Sequence, residues 1–138
     1  MKKEVSVSIT TKSIPKSDEP QTISTSAKGT VYRKDDLLYI SYKENPEEFG
    51  KTLTTVKIKN DRVELIRTGN VSSRLVFSKG KVFESSYNTP YGSLPLKISV
   101  SDMEVCAHEN EGSVFMTYCL DLAGDQTENN FTLKYKCI

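Results

Sequence analysis

Lys51-Thr52-Leu53-Thr54-Thr55-Val56-Lys57-Ile58-Lys59-Asn60-Asp61-Arg62-Val63-Glu64-Leu65-Ile66-Arg67-Thr68 is two alternating segments joined by two residues. Lys57 and Lys59 share one parity, and Thr52, Thr54, Val56 and Ile58 share the other. Side chains on a strand alternate between faces, so the first segment has a solvated face and a core face. Asn60-Asp61 tolerates the positive φ of a tight hairpin turn. The second segment returns with Val63, Leu65 and Arg67 on the inner parity and Glu64 on the outer.

The pattern extends in both directions. Lys34-Asp35-Asp36, Asn45-Pro46, Gly69-Asn70, Lys79-Gly80, Asn110-Glu111-Gly112 and Ala123-Gly124-Asp125 are turn signals at intervals of about ten residues. Thr89-Pro90-Tyr91-Gly92 fits a type I turn, with Pro second and Gly fourth. The spacing predicts strands over 5–9, 23–33, 37–42, 51–59, 62–68, 71–78, 81–88, 93–107, 113–122 and 128–137. It also predicts a polar loop from Ile14 to Gln21, and a longer loop from Lys43 to Gly50 with room for one helical turn. Within 93–107, Leu94, Leu96, Ile98 and Val100 share a face, but Met103, Val105 and Ala107 fall on the opposite parity. A bulge near Ser101-Asp102 restores one inward face, and Pro95 belongs at an edge or bulge because it cannot donate to a ladder. No window of ten or more residues has helical periodicity.

An open meander would leave two bare edges, and closure removes them. The expected fold is all-β: one domain over residues 1–138, a closed antiparallel up-and-down barrel of about eight to ten strands. A two-sheet sandwich is the alternative. At 138 residues the chain needs no covalent staple.

With 19 basic and 18 acidic residues, charge gives no reason to expect nucleic acid or an anionic membrane as partner. Serines interrupt the N-terminal segment Val5-Ser6-Val7-Ser8-Ile9, so it reads as a first strand rather than a signal peptide. A cytoplasmic protein is expected. In Cys106, Cys119 and Cys137 we expect reduced, half-buried thiols. Hairpins centred near Asn110 and Gln126 would set Cys106 opposite about Phe115 and Cys119 opposite about Leu133, so neither pairs with a cysteine. No histidine is expected to serve these thiols, and His108, the only histidine, reads as an exposed turn residue. One histidine with scattered cysteines makes no recognisable zinc site. No nucleophile elbow or phosphate-binding glycine loop occurs. No cofactor and no enzymatic activity are expected.

Arg67 stands out as a guanidinium on an apolar parity. A buried charge needs acceptors, and Asp102, barrel-end carbonyls or a ligand anion are candidates. It either caps one barrel end or anchors a ligand at the mouth, unless the register slips near Gly69. The inner set mixes tyrosine and threonine with aliphatics, as both a ligand cavity and a solid core do. Arg67, Thr54, Tyr87, Tyr91 and Tyr118 are the candidate ligand-binding residues. The leading reading is a non-enzymatic barrel, monomer or homodimer, that binds a small hydrophobic or amphipathic molecule with an anionic end. The alternative is a protein-interaction module with a packed interior that uses its outer face or an edge strand. An enzyme would have to rely on groups such as Arg67 with Tyr118.

Arg67-Thr68-Gly69-Asn70-Val71-Ser72-Ser73-Arg74-Leu75-Val76-Phe77 and Tyr87-Asn88-Thr89-Pro90-Tyr91-Gly92-Ser93-Leu94-Pro95-Leu96 carry a likeness that extends over nearly the whole chain. The chain resembles the small bacterial YwiB-like proteins, a family of unknown function placed with the calycins. The resemblance implies a lipocalin-like barrel in a bacterial cytosol and supplies no activity. It also implies the small-hydrophobe binding common among calycins, although fold does not carry function. The chain has no tryptophan, so the Gly-x-Trp signature of true lipocalins is absent.

Overall fold

The computed structural model describes residues 2–15, 19–43, 52–59, 62–69, 72–108 and 110–138. Ten strands follow one another: β1 (Lys3–Pro15), β2 (Gln21–Lys34), β3 (Leu37–Lys43), β4 (Thr52–Lys59), β5 (Arg62–Gly69), β6 (Ser73–Ser78), β7 (Val82–Thr89), β8 (Gly92–Ala107), β9 (Glu111–Leu122) and β10 (Asp125–Cys137). Among the described residues there is no helix. The ladder order is β6-β5-β4-β3-β2-β1-β10-β9-β8-β7, antiparallel throughout. Every pair of consecutive strands except β6 and β7 is therefore laddered, and β1 joins β10 from Val5↔Cys137 to Pro15↔Thr127.

The ring's weak point is a seam between β6 and β7, which no continuous ladder joins. One isolated bridge ties them: Ser72 N donates to Asn88 O at 3.0 Å, and Asn88 N donates to Ser72 O at 3.1 Å. At the other end of the seam Lys81 N donates to Ser78 O, and Gly80 N to Val100 O, both at 3.1 Å. Arg74 of β6 lies over the Phe83 ring of β7 at 6.0 Å, and it also pairs with Glu64 at 3.1 Å. The barrel is thus nearly closed.

The bulge sits where the parity slip requires it: Val100 faces Tyr118, Asp102 faces Thr117, and Ser101 is the extra residue. Beyond it Met103 and Val105 stand opposite the buried Met116 and Val114, so one inward face continues. Ala123 and Gly124 form a two-residue loop with φ of 53° and 94°, which matches the twist of a tight hairpin.

Several expectations are corrected. Ile14 and Pro15 belong to β1 and Gln21 to β2, so the polar loop is shorter than the prolines suggest. Cys106 faces Ser113 rather than Phe115, and Cys119 faces Glu128 rather than Leu133, because both hairpin loops are shorter than the assumed centres allow. None of the three cysteines is in a disulfide; Cys106 and Cys119 are exposed, and only Cys137 is half-buried. The expected turn at Asn60-Asp61 and the loop over 44–50 lie outside the described residues.

The two ends of the barrel differ. At the end holding the β2–β3, β6–β7 and β8–β9 turns, Val5, Val31, Leu38, Val63, Phe77, Val114 and Leu133 are at most 2 % exposed. Tyr135 completes this floor, its hydroxyl donating to the His108 carbonyl and its ring lying over Gly112. The opposite end, between the β1–β2, β7–β8 and β9–β10 connections, is hollow.

Candidate barrel cavity

An eight-stranded barrel is just wide enough for side chains to fill, and diameter grows with strand number. Ten strands therefore leave space that inward residues span only where they are large and convergent. The floor meets that condition. Above it lies a cavity of about 340 Å3, within the size range of small-molecule sites.

The lining has two characters. Ile9 of β1, Ile23 of β2, Leu120 and Leu122 of β9 and Phe131 of β10 form a largely apolar wall, with Thr11 and Thr25 among them. Tyr42 of β3, Arg67 of β5 and Tyr87 of β7 stand on the other side with Leu65 and Leu75. Tyr118 lies at the base, 8 % exposed, its ring edge-on to Phe77 at 4.8 Å and 64°. Burial pushes its phenol up to about 12, and the nearby Arg67 cation opposes that rise. Tyr118 is therefore a neutral hydrogen-bond donor at physiological pH.

Of the five expected ligand-binding residues, the structure gathers three, Arg67, Tyr87 and Tyr118, around this cavity. Thr54 is fully buried and stands in register between Tyr42 and Arg67, so it supports the wall that carries both. Tyr91 is fully exposed in the β7–β8 turn and does not line the cavity. Arg67 lies inside the mouth as a half-buried residue whose Nε is shut off from solvent. Asp102 does not reach it, because that carboxylate is exposed on the outer surface and pairs with Lys79 at 3.6 Å. Sequence reading missed Tyr42, Thr11 and Thr25, although the parities that place Ile40, Ile9 and Val31 inward on their strands also place them there. It also missed Asn129, which is buried opposite Tyr118 and donates to Thr127 Oγ1 at 3.0 Å.

Two outer hollows of about 610 Å3 each are larger but more open, and both lie on the solvated side of the sheet. One holds Cys106 and His108, whose Sγ and Nε2 are 3.5 Å apart, so a histidine does stand beside one thiol. His108 is exposed in its turn, as its polar surroundings suggest. Among the described residues no group of three or more His, Cys, Asp or Glu side chains could hold a metal ion. No helix of the described residues is long and apolar enough to cross a membrane.

Residues 7–134 match the family described as "Domain of unknown function (DUF1934)". The chain belongs to the DUF1934 family. It is 30 % identical over 139 residues to the "Uncharacterized beta-barrel protein YwiB" of Bacillus subtilis strain 168, covering 99 % of this chain and 96 % of that one. The crystal structure of the ywiB protein from Bacillus subtilis superposes with a TM-score of 0.90 at 23 % identity, covering 99 % and 93 % of the two chains. The DUF1934 barrel is therefore shared across this sequence distance, and the family description assigns it no activity.

Proposed function

We propose that this DUF1934 protein binds a small amphipathic molecule inside its barrel without transforming it. The observation that carries the reading is the cavity of about 340 Å3, apolar on one side and lined by Tyr42, Arg67 and Tyr87 on the other. Such a hollow loses the dispersion contacts a filled interior would make, and a ligand restores them. The lining offers hydroxyls and a guanidinium rather than an acid–base pair, which supports binding over catalysis. The balanced charge supports a soluble cytoplasmic carrier or sensor with no nucleic-acid or membrane partner.

N-phenyl-naphthylamine, an uncharged dye that brightens in apolar surroundings, tests the reading. Wild-type protein should bind it saturably, and Thr25→Phe, whose ring occupies part of the cavity, should weaken binding while the circular dichroism spectrum is kept. A dye that stays dark with wild type, or binds this variant equally well, sinks the proposal.

A further inference from the structure

The cavity has a chemical polarity that narrows its ligand. β5 and β10 lie half a turn apart in a ten-strand ring, so Arg67 faces Phe131 across the space. The described lining holds no Asp, Glu or Lys, so Arg67 is its one charged residue. Its guanidinium has five donors in a planar fork, enough to serve groups of the protein and a ligand together.

A second, independent observation lies beside it. Ser73 of β6 is the direct cross-strand partner of Arg67 on the inward parity. It is 7 % exposed, and its Oγ has no hydrogen-bond partner among the described residues. A buried hydroxyl left unsatisfied costs free energy, and such groups ordinarily have a partner in the folded protein or its ligand. Ser73 stands just behind the cavity lining, in register with Arg67, and its hydroxyl marks a place for an acceptor there. Tyr118, which lines the same cavity as Arg67, adds a phenolic donor to that region.

Resting on the binding reading above, we infer that the ligand is a monoanionic acid of the carboxylate class. Its charged group sits against Arg67 and Ser73, and its apolar body lies along Ile9, Ile23 and Phe131. One guanidinium balances one negative charge. A phosphate monoester would carry a second negative charge into an apolar enclosure, at a cost of several kcal/mol. The planar fork of Arg also matches a planar carboxylate two bonds at a time.

Isothermal titration calorimetry with octanoate and octanol separates the acid from the apolar body, with the uncharged dye as a control for cavity and fold. Wild type should bind octanoate at least about tenfold more tightly than octanol, as expected for hydrogen bonds to a charged group. Arg67→Gln should erase that difference, lowering octanoate to about the level of octanol, while the variant still binds the dye. Ser73→Ala should weaken octanoate a few-fold and octanol less. Arg67→Lys, which keeps the charge but loses the fork, should fall between wild type and Arg67→Gln. If wild type binds the dye but takes octanoate no better than octanol, or if Arg67→Gln keeps the preference, the acid assignment is wrong and the binding reading stands. If wild type binds neither dye nor octanoate, both fall.

Discussion

The two ends of this barrel are built from the same ten strands by the same alternation, yet one is solid and the other hollow. At the solid end Phe77, Leu133 and Tyr135 converge on small residues such as Val5, Val63, Val114 and Gly112, and large side chains interlock with small ones. At the hollow end the short side chains of Thr11 and Thr25 stand among the larger lining residues and leave the space between the walls unfilled. Alternation selects a face. Side-chain size, layer by layer, determines whether that face closes on itself. Stability should therefore reside at the floor, and binding capacity at the mouth.

The largest effect should come from truncation at the floor. Phe77→Ala removes a fully buried ring that packs on Tyr118 and should cost about 3–5 kcal/mol in urea unfolding. Leu122→Ala at the hollow end should cost less than about 1 kcal/mol, since its side chain borders open space. Equal losses at both positions would break the contrast.

Tyr118, between the two ends, supplies the next test. Its folded pKa of about 12 stands above the ordinary 10, so the fold holds the proton more tightly than the unfolded chain. That contribution is complete below pH 10 and is lost as pH rises through 12, amounting to roughly 2–3 kcal/mol. Tyr118→Phe should flatten this part of the alkaline unfolding curve relative to wild type. Parallel curves would show that Tyr118 does not titrate late.

Gly112→Ala probes floor packing in the other direction. An added Cβ would lie 2.6 Å from the Tyr135 hydroxyl oxygen and 2.7 Å from the Cys106 carbonyl oxygen, and the latter is backbone that cannot swing aside. A loss of about 1–3 kcal/mol is expected, and a neutral result would mean that Tyr135 does not seal this end. The smallest effect should be that of Thr25→Phe, within about 1 kcal/mol of wild type, because the ring enters space already present.

Most of the fold was legible because period-two alternation and turn chemistry are local. The shift from Leu94-to-Val100 parity to Met103-to-Ala107 parity placed the bulge to within a residue. Hairpin registers were less legible: Ala123-Gly124-Asp125 reads correctly as a turn, yet Asp125–Thr127 look polar enough to be loop and are strand. Polar composition does not stop a strand whose backbone pairs on both sides. Arg67 and Tyr118 were legible as inward residues, and their place in one cavity was not. That placement depends on the ring's diameter and on which residues lie half a turn apart, neither of which alternation encodes. Tyr91 was misplaced for a related reason: an aromatic at a turn tip lies beyond the last inward-facing position.

The pairing of the first strand with the last has a consequence for chain connectivity. Ile138 N donates to Glu4 O at 3.1 Å, while β6 and β7, consecutive in the chain, form the ring's seam. A circular permutant opened at Lys79–Gly80, with the old ends joined by a short flexible linker, would keep every long ladder. It would also turn the most sequence-distant one, β1 with β10, into a local hairpin. Lower contact order should make that permutant refold faster than the parent chain.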